Sequence, residues 1–320
     1  MSNLDIFNLD ADSLITKVPT GKTGDADFYK PYPEDGKDGV YKSLIRFVPN
    51  PKDPGKSKIQ KFYVFLKDPS TGNGFSVDCP STVGKKSVLK DLYWKLKNSH
   101  SAADQELSKT FSRKEDYYSL IQIVEDKNKP ELQGKIMLFK FGKKLNDFIE
   151  AQLKPEYGTK CNPYDLFDGK EFSLHVRKVG EWNNYDLCSF VGERSPIKID
   201  GTPMQKNQTD MQKILAYLNE GPQNLTSYEY KDWDSETTEN VMKAIRASVP
   251  ENRVVNEIIG GVGSATSTYS TKEESVSTPS SNDYLSEASD TRSFSQSSPA
   301  KKETVKATSS SSLEDLYDDL

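Results

Sequence analysis

Between residues 39 and 200 the chain repeats one pattern. Short runs rich in β-branched and aromatic residues alternate with Gly, Pro, Asn and Asp. The runs are "VYKSLIRFV" (40–48), "IQKFYVFL" (59–66), "GFSVDC" (74–79), "YYSLIQIV" (117–124), "KIMLFKF" (135–141) and "EFSLHVRKV" (171–179). Such runs predict strands. Two segments switch to helical spacing. "KSVLKDLYWKLKN" (86–98) aligns Leu89, Leu92, Tyr93 and Leu96, and "LNDFIEAQL" (145–153) aligns Leu145, Phe148, Ile149 and Leu153. Short strands with few helices predict a mainly β fold, a small and partly open barrel with helical insertions. Farther on, Met211, Ile214, Leu215 and Leu218 share one helical face. A second helix is expected over 235–249, with Ser235 in a capping position.

The flanks differ. Residues 1–35 are dense in Gly, Pro and Asp and are expected to form a loose arm. The "GKT" at 21–23 lacks the phosphate-loop glycine, because Thr16 stands in its place. "GGVGSATSTYS" opens an expected linker, and from 264 to 312 Ser and Thr supply 24 of 49 residues. Such a segment buries too little apolar area to offset its ordering entropy, so disorder is predicted. The expected division is arm 1–35, core 36–200, helical extension 201–260 and tail 261–320.

No run of eighteen apolar residues occurs, so no transmembrane span is expected. The acidic start "MSNLDIFNLDADSL" is unlike a signal peptide. Cys79, Cys161 and Cys188 lie far apart without a CxxC, which fits free thiols in a reducing cytoplasm. The net charge of −5 conceals an uneven distribution. Residues 41–180 hold 26 Lys/Arg against 17 Asp/Glu, whereas 1–40 hold 4 against 8 and 181–320 hold 13 against 23. A basic middle between acidic ends points to a polyanion site and to something that competes for it.

Cations and aromatic rings are interleaved in that middle. "FSRKEDYYSL" places Arg113 and Lys114 before Tyr117 and Tyr118. "HVRKVGEWNNYD" places Arg177 and Lys178 before Trp182 and Tyr185. "LKDLYWKLK" mixes Tyr93 and Trp94 with lysines. In "KIMLFKFGKK" alternation puts Lys135, Met137, Phe139 and Phe141 on one face and Ile136, Leu138 and Lys140 on the other. One face is expected to be core and the other a binding surface. Lys143 and Lys144 then open a helix, against its dipole, so an anion is expected beside them. Unpaired nucleic acid needs this combination: cations neutralise phosphate, and rings stack on exposed bases for roughly 1–3 kcal/mol each. Enzyme chemistry has little support. Only His100 and His175 are present, and no nucleophile elbow, HExxH or phosphate loop occurs.

Residues 112–149, "SRKEDYYSLIQIVEDKNKPELQGKIMLFKFGKKLNDFI", resemble the T-even-type bacteriophage single-stranded DNA-binding (helix-destabilising) protein family in its basic-aromatic strand, its "VxD" turn and its "FGKK" junction. "VRKVGEWNNYD" (176–186) is similar to a later aromatic strand, and "YKSLIRFVPN" (41–50) to the first barrel strand. The likeness covers roughly 38–190 and, weakly, the helices to 260. It implies an OB-fold core and cooperative coating of displaced strands during replication, recombination and repair in the host cytoplasm. It implies DNA contacts at Arg113, Lys114, Tyr117, Phe139, Trp182 and Tyr185. The family often carries a zinc held by one His and three Cys in an insert near 65–95. Only Cys79 matches here, so no metal or other cofactor is expected. The family's basic N-terminal arm for self-association along DNA is acidic in this chain.

An RNA-binding OB protein carries similar surfaces, and a scaffold protein would use the same rings as core. At the end, Leu313, Leu316, Tyr317 and Leu320 follow helical spacing between Glu314, Asp315, Asp318 and Asp319. The segment is too short to hold a helix alone. Docked in a groove it would present an apolar stripe flanked by acids. Recruitment of phage replication and recombination proteins, or occupation of the chain's own basic groove, is the expected use.

Overall fold

Backbone hydrogen bonding turns the alternating runs into a single curled antiparallel sheet. The structure, a computed structural model, describes residues 28–35, 39–248 and 252–263. Most of the expected arm and all of the expected Ser/Thr tail and its acidic tip lie outside these residues. In chain order the elements are β1 (Val40–Val48), β2 (Lys58–Lys67), β3 (Gly74–Asp78), α1 (Val88–Lys97), α2 (Ala102–Ser108), β4 (Arg113–Asp126), β5 (Ile136–Phe141), α3 (Lys143–Leu153), β6 (Gly169–Val179), β7 (Trp182–Asn184), β8 (Ser189–Ser195), β9 (Lys198–Ile199), β10 (Thr202–Pro203), α4 (Gln208–Glu220), α5 (Ser235–Ser248) and α6 (Arg253–Gly263).

The longest strand, β4, organises the sheet. One edge of it pairs first with β2, Val64 opposite Arg113 through Lys58 opposite Ser119. The same edge continues with β1, where Val48 faces Leu120. β1 and β2 therefore form one interrupted ledge, with residues 49–57 looped out. The other edge of β4 carries β5, Tyr117 opposite Phe141 through Gln122 opposite Ile136. β6 joins the far edge of β1 and carries β7 and β8 in turn. A mainly β core with helices is what the sequence predicts. The described ladders do not close into a ring, so the sheet is open among the described residues.

Three apolar clusters cover the sheet. The first lies on the face of Tyr117, Ile121, Phe139 and Phe141 and is closed by Leu145 and Ile149 of α3. The second lies on the opposite face, where Leu120, Ile136 and Leu138 meet Ile214 and Leu218 of α4. The third joins Val64, Leu66 and Val77 to α1, α5 and α6. Two expectations need correction here. "GGVG" does not open a linker, because α6 runs through Gly263. Val255 and Ile259 bury against the third cluster, and that packing supports the helix. The cap of α5 is Asp234, whose Oδ1 accepts the Thr237 N–H at 2.7 Å, and not Ser235, which is already helical.

Two buried charges tie the elements together. Asp126 is 1% exposed and accepts the hydroxyls of Tyr29 and Tyr41, each at 2.6 Å. Its other oxygen accepts the backbone N–H of Asn128 and Lys129, so the "VED" turn and the strap at 28–35 share one carboxylate. Arg46, also buried, donates to the carbonyls of Asp165 and Ser195 at 2.9 and 2.7 Å. Burial lowers its pKa to about 10, which leaves it charged at neutral pH. A Cβ at Gly169 would lie 2.8 Å from that guanidinium and 2.4 Å from the Asp165 carbonyl, so only glycine fits there.

In the segment that the family likeness compares with a zinc insert, α1 packs on the sheet beside Cys79. Cys79 Sγ lies within hydrogen-bonding distance of two hydroxyls, Ser81 at 3.1 Å and Ser87 at 3.2 Å. Among the described residues no three His, Cys, Asp or Glu side chains cluster as a metal site needs. The donor set does not fit a four-ligand zinc. Leu89, Leu92 and Leu96 of α1 instead pack on Val64, Leu66 and Val77.

Replacing Asp126 by Ala strands two buried hydroxyls and should cost about 3 kcal/mol of unfolding free energy, measured in urea. Protein purified without chelator should carry well under one zinc per chain by elemental analysis, and chelators should leave its unfolding temperature unchanged.

Candidate nucleic-acid interface

Strand alternation places Lys61 and Tyr63 of β2, Asp116 and Tyr118 of β4, and Lys140 of β5 on one face, confirmed by their cross-strand register. α4 covers that face as far as Leu138 and Tyr118. Beyond it the face opens into a cleft of 1060 Å³, whose far wall includes Trp233 and Lys243. Burial explains why β5 exposes one cation only. Ile136 and Leu138 lie under α4 and Phe139 and Phe141 lie in the first cluster, leaving Lys140 outside. Both faces of β5 are thus core for most of its length, which corrects the expectation of one core face and one binding face.

A second cleft, of 320 Å³, shares Tyr118 and Lys140 with the first. The strap covers the outer edge of β5 at Leu138, where the Tyr29 N–H donates to the Leu138 carbonyl at 2.7 Å. Past that point the cleft is lined from Tyr118 and Tyr228 on one face to Phe139 and Phe141 on the other, with Tyr32 and Tyr185 as further walls. The two clefts meet at Tyr118 and Lys140 and so form one track.

Rings and cations are paired along it. Tyr118 is 6% exposed and stacks on Tyr228, centroids 4.9 Å apart and 11° between planes. The Lys140 ammonium lies 5.8 Å from the Tyr63 ring and 5.9 Å from the Tyr118 ring. Burial, then the charge of Asp116, pushes the Tyr118 hydroxyl above its usual pKa. It stays neutral at physiological pH, as a surface for polyanions requires.

The cations are not bare. Lys140 pairs with Asp116 at 2.6 Å and Lys61 with Asp78 at 3.1 Å. Lys143 pairs with Asp147 at 3.2 Å and Lys144 with Asp186 at 3.0 Å. The anions beside these two helix-opening lysines are therefore the protein's own carboxylates. Lys178 holds Glu34 of the strap at 3.0 Å. A polyanion must exchange with these carboxylates, and exposed pairs of this kind hold by under about 1 kcal/mol.

The other expected residues are dispersed. Tyr117 is 5% exposed and stacks on Phe141 inside the first cluster, behind the lining of the smaller cleft. Phe139 is 2% exposed yet lines the smaller cleft. Arg113 lies over Phe62, its guanidinium carbon 3.8 Å from the ring centroid, and donates to Ser81 at 3.1 Å. Lys114 lies 6.0 Å from the Phe65 ring. Trp182 is 80% exposed beside the β6–β7 turn, where Gly180 takes a φ of 62°. Arg177 is exposed on the same hairpin, while Tyr185 is half-buried and its hydroxyl pKa is raised by that burial. Sequence reasoning missed Lys61, Tyr63, Tyr228 and Asn183. "KFYVFLK" carried the signal for the first two, a cation and rings in strand alternation. Tyr228 and Asn183 gave none, because their contacts are distant in sequence.

Residues 37–246, well over half of the chain, match the family model described as gp32 DNA binding protein like. The chain belongs to that family. Two curated relatives, each called a single-stranded DNA-binding protein, come from Enterobacteria phage T4 and Enterobacteria phage T2. Each is 26% identical over 185 residues, which is 56% of this chain and 60% of the relative. The chain thus spans less than two thirds of the length of the curated relatives it matches.

Proposed function

We propose that this member of the gp32-like family binds single-stranded DNA, coating displaced strands in the infected host cell, and is not an enzyme. The observation that carries the reading is the junction of the two clefts at Tyr118 and Lys140. A single strand offers alternating charge and ring, and the track offers Lys140 beside Tyr63 and Tyr118, with Tyr228 and Tyr185 as further rings. The flexed backbone of an unpaired strand can follow a path that bends round the edge of β5, whereas a duplex is too stiff for it. Among the expected contacts, Lys140, Tyr118, Phe139 and Tyr185 line the track. Trp182, Arg177, Lys178, Lys143 and Lys144 stand near its end on the hairpin and on α3, and Arg113 and Lys114 on the strand end beyond. The open sheet is read as a relative of the OB fold, supported by the way β4 carries partners on both edges while the ledge of β1 and β2 bends.

The tail enters the same scheme. Leu313, Asp315, Leu316, Tyr317, Asp318, Asp319 and Leu320 recur as apolar and acidic residues at the end of a Ser/Thr-rich tether. A tethered polyanion mimic acts at high effective concentration, so weak contacts compete with DNA, and the freed tip recruits replication and recombination proteins. Self-association along DNA belongs to the same proposal.

Affinity for an unstructured oligonucleotide should fall steeply between 50 and 200 mM salt, as expected for phosphate binding. Single-stranded RNA and duplex measured in parallel should bind more weakly; tighter binding to RNA would reassign the polymer. Trp182→Ala should weaken binding roughly fivefold at unchanged unfolding temperature. Asp116→Asn, which releases Lys140, should strengthen it about twofold at low salt. Removing 264–320 should raise affinity most at low salt, and equal affinity across salt would exclude competition by the tail.

A further inference from the structure

The β6–β7 hairpin has two faces, and its register separates them. Lys178 lies opposite Asn183, whereas Arg177 lies opposite Asn184 and Val179 opposite Trp182. Opposite residues share a face, and neighbours along a strand alternate. Asn183 lines the smaller cleft and Lys178 holds Glu34 of the strap, so this pair is on the cleft side. Arg177, Val179 and Trp182 are on the outer side. β1 continues both faces. Tyr41 lies opposite Val176, both buried in the first cluster, while Lys42 lies opposite His175 and Val40 opposite Arg177. The hairpin tip is therefore the edge where the track ends and an outer sheet face begins.

That face is cationic in a way the track is not. Along the track Lys140 and Lys61 are paired with Asp116 and Asp78. Lys42 and Arg177 are exposed and, among the described residues, make no ion pair. The Asp186 carboxyl is held below its usual pKa by the Asn184 amide first, then by Lys144, and only after them by Arg177; it pairs with Lys144 at 3.0 Å. Glu171 and Glu125, farther along the outer face, are paired with Lys198 and Lys127. His175 is half-buried between the two cations, and burial, then Lys42 and Arg177, holds its pKa below the ordinary value. It is thus neutral at physiological pH, and Lys42 and Arg177 carry the charge. They are diagonal neighbours on paired strands, about 7–8 Å apart at the backbone. Like charges at that spacing repel, and a phosphate between them removes the repulsion. At the tip, Trp182 is 80% exposed and offers a ring to a base.

We infer that a bound single strand passes over the hairpin tip at Trp182 and continues onto the outer face of β1 and β6, where Lys42 and Arg177 take its phosphates. The inference rests on the single-strand reading above and extends the site beyond the clefts. The occupant is the same strand, because the tip joins the two faces and the backbone of an unpaired strand is flexible enough to turn there. A cation without a carboxylate to exchange gains the full phosphate contact. The outer face therefore adds affinity and salt dependence that only a strand long enough to reach it feels.

Fluorescence anisotropy on the full chain, at about 150 mM salt to screen distant charges, compares oligothymidylates of roughly six and roughly sixteen nucleotides, within the span of sites on one OB fold. Lys42→Gln combined with Arg177→Gln should weaken binding of the long oligomer roughly tenfold and reduce its salt slope by about 1.4. The short oligomer should bind within about twofold of wild type. Lys95→Gln, at an exposed lysine of α1, should change neither. Thermal unfolding verifies the variants. Unchanged binding of the long oligomer by the double variant overturns the inference and leaves single-strand binding standing. Equal losses on the two lengths also overturn it, since the cations then act on the clefts themselves. An equal loss in Lys95→Gln overturns it as well, since net charge alone then accounts for the effect. Failure of wild-type protein to bind either oligomer overturns the single-strand reading together with this one.

Discussion

The strand β4 is the constraint on which the rest depends. Its fourteen residues exceed what any one neighbour covers, so it must change partners along its length. β2 and β1 share one edge and β5 takes the other. Where the partners change, Tyr117 and Tyr118 point to opposite faces, as strand geometry requires. Tyr117 completes the first cluster and Tyr118 ends the second. A cleft forms where the second cluster stops and the third has not begun. The binding track is in this sense a gap between two cores.

Electrostatics gives the track a second character. Its lysines are held by carboxylates across the same strands, Asp116 for Lys140 and Asp78 for Lys61. The pairs keep the cations in position on the sheet without fixing them strongly, because water reaches them. A phosphate that displaces a carboxylate gains less than it would at a bare lysine. Under the proposed function that moderates affinity and keeps binding reversible. The neutral tyrosine hydroxyls, held so by burial, add no repulsion of their own.

The strap at 28–35 links the site to the fold. Tyr29 is fixed by Asp126, and the strap closes one wall of the smaller cleft. Lys178 reaches Glu34 across from the β6–β7 hairpin. The walls of that cleft therefore come from chain segments some 150 residues apart, joined by a buried carboxylate and an exposed ion pair. The third cluster plays the equivalent part at the other end. There leucines of α1 and Val255 and Ile259 of α6 pack in one cluster with Val64, Leu66 and Val77.

Much was legible in the sequence because it depends on local periodicity. Alternation gave six strands, with β1 matched end to end, and helical spacing gave α1, α3 and α4. The interleaving of rings and cations pointed to nucleic acid, since composition and charge act without regard to fold. The sequence could not sort rings into core and surface. Tyr117 and Tyr118 are neighbours with the same chemistry, and only the pairing of β4 decides that one is buried within the first cluster while the other borders a cleft. Asn183 and Tyr228 were silent for the same reason: they line the smaller cleft only through packing between distant segments. Only the end of α6, residues 260–263, was misread, because glycine lowers local helix propensity, a preference that burial of Val255 and Ile259 in the same helix outweighs. What the sequence determined by itself was the periodicity of the elements and the kind of polymer they suit. Where the stacked rings and the carboxylate-paired lysines come together was decided by tertiary structure, because contacts between residues far apart in the chain leave no local pattern.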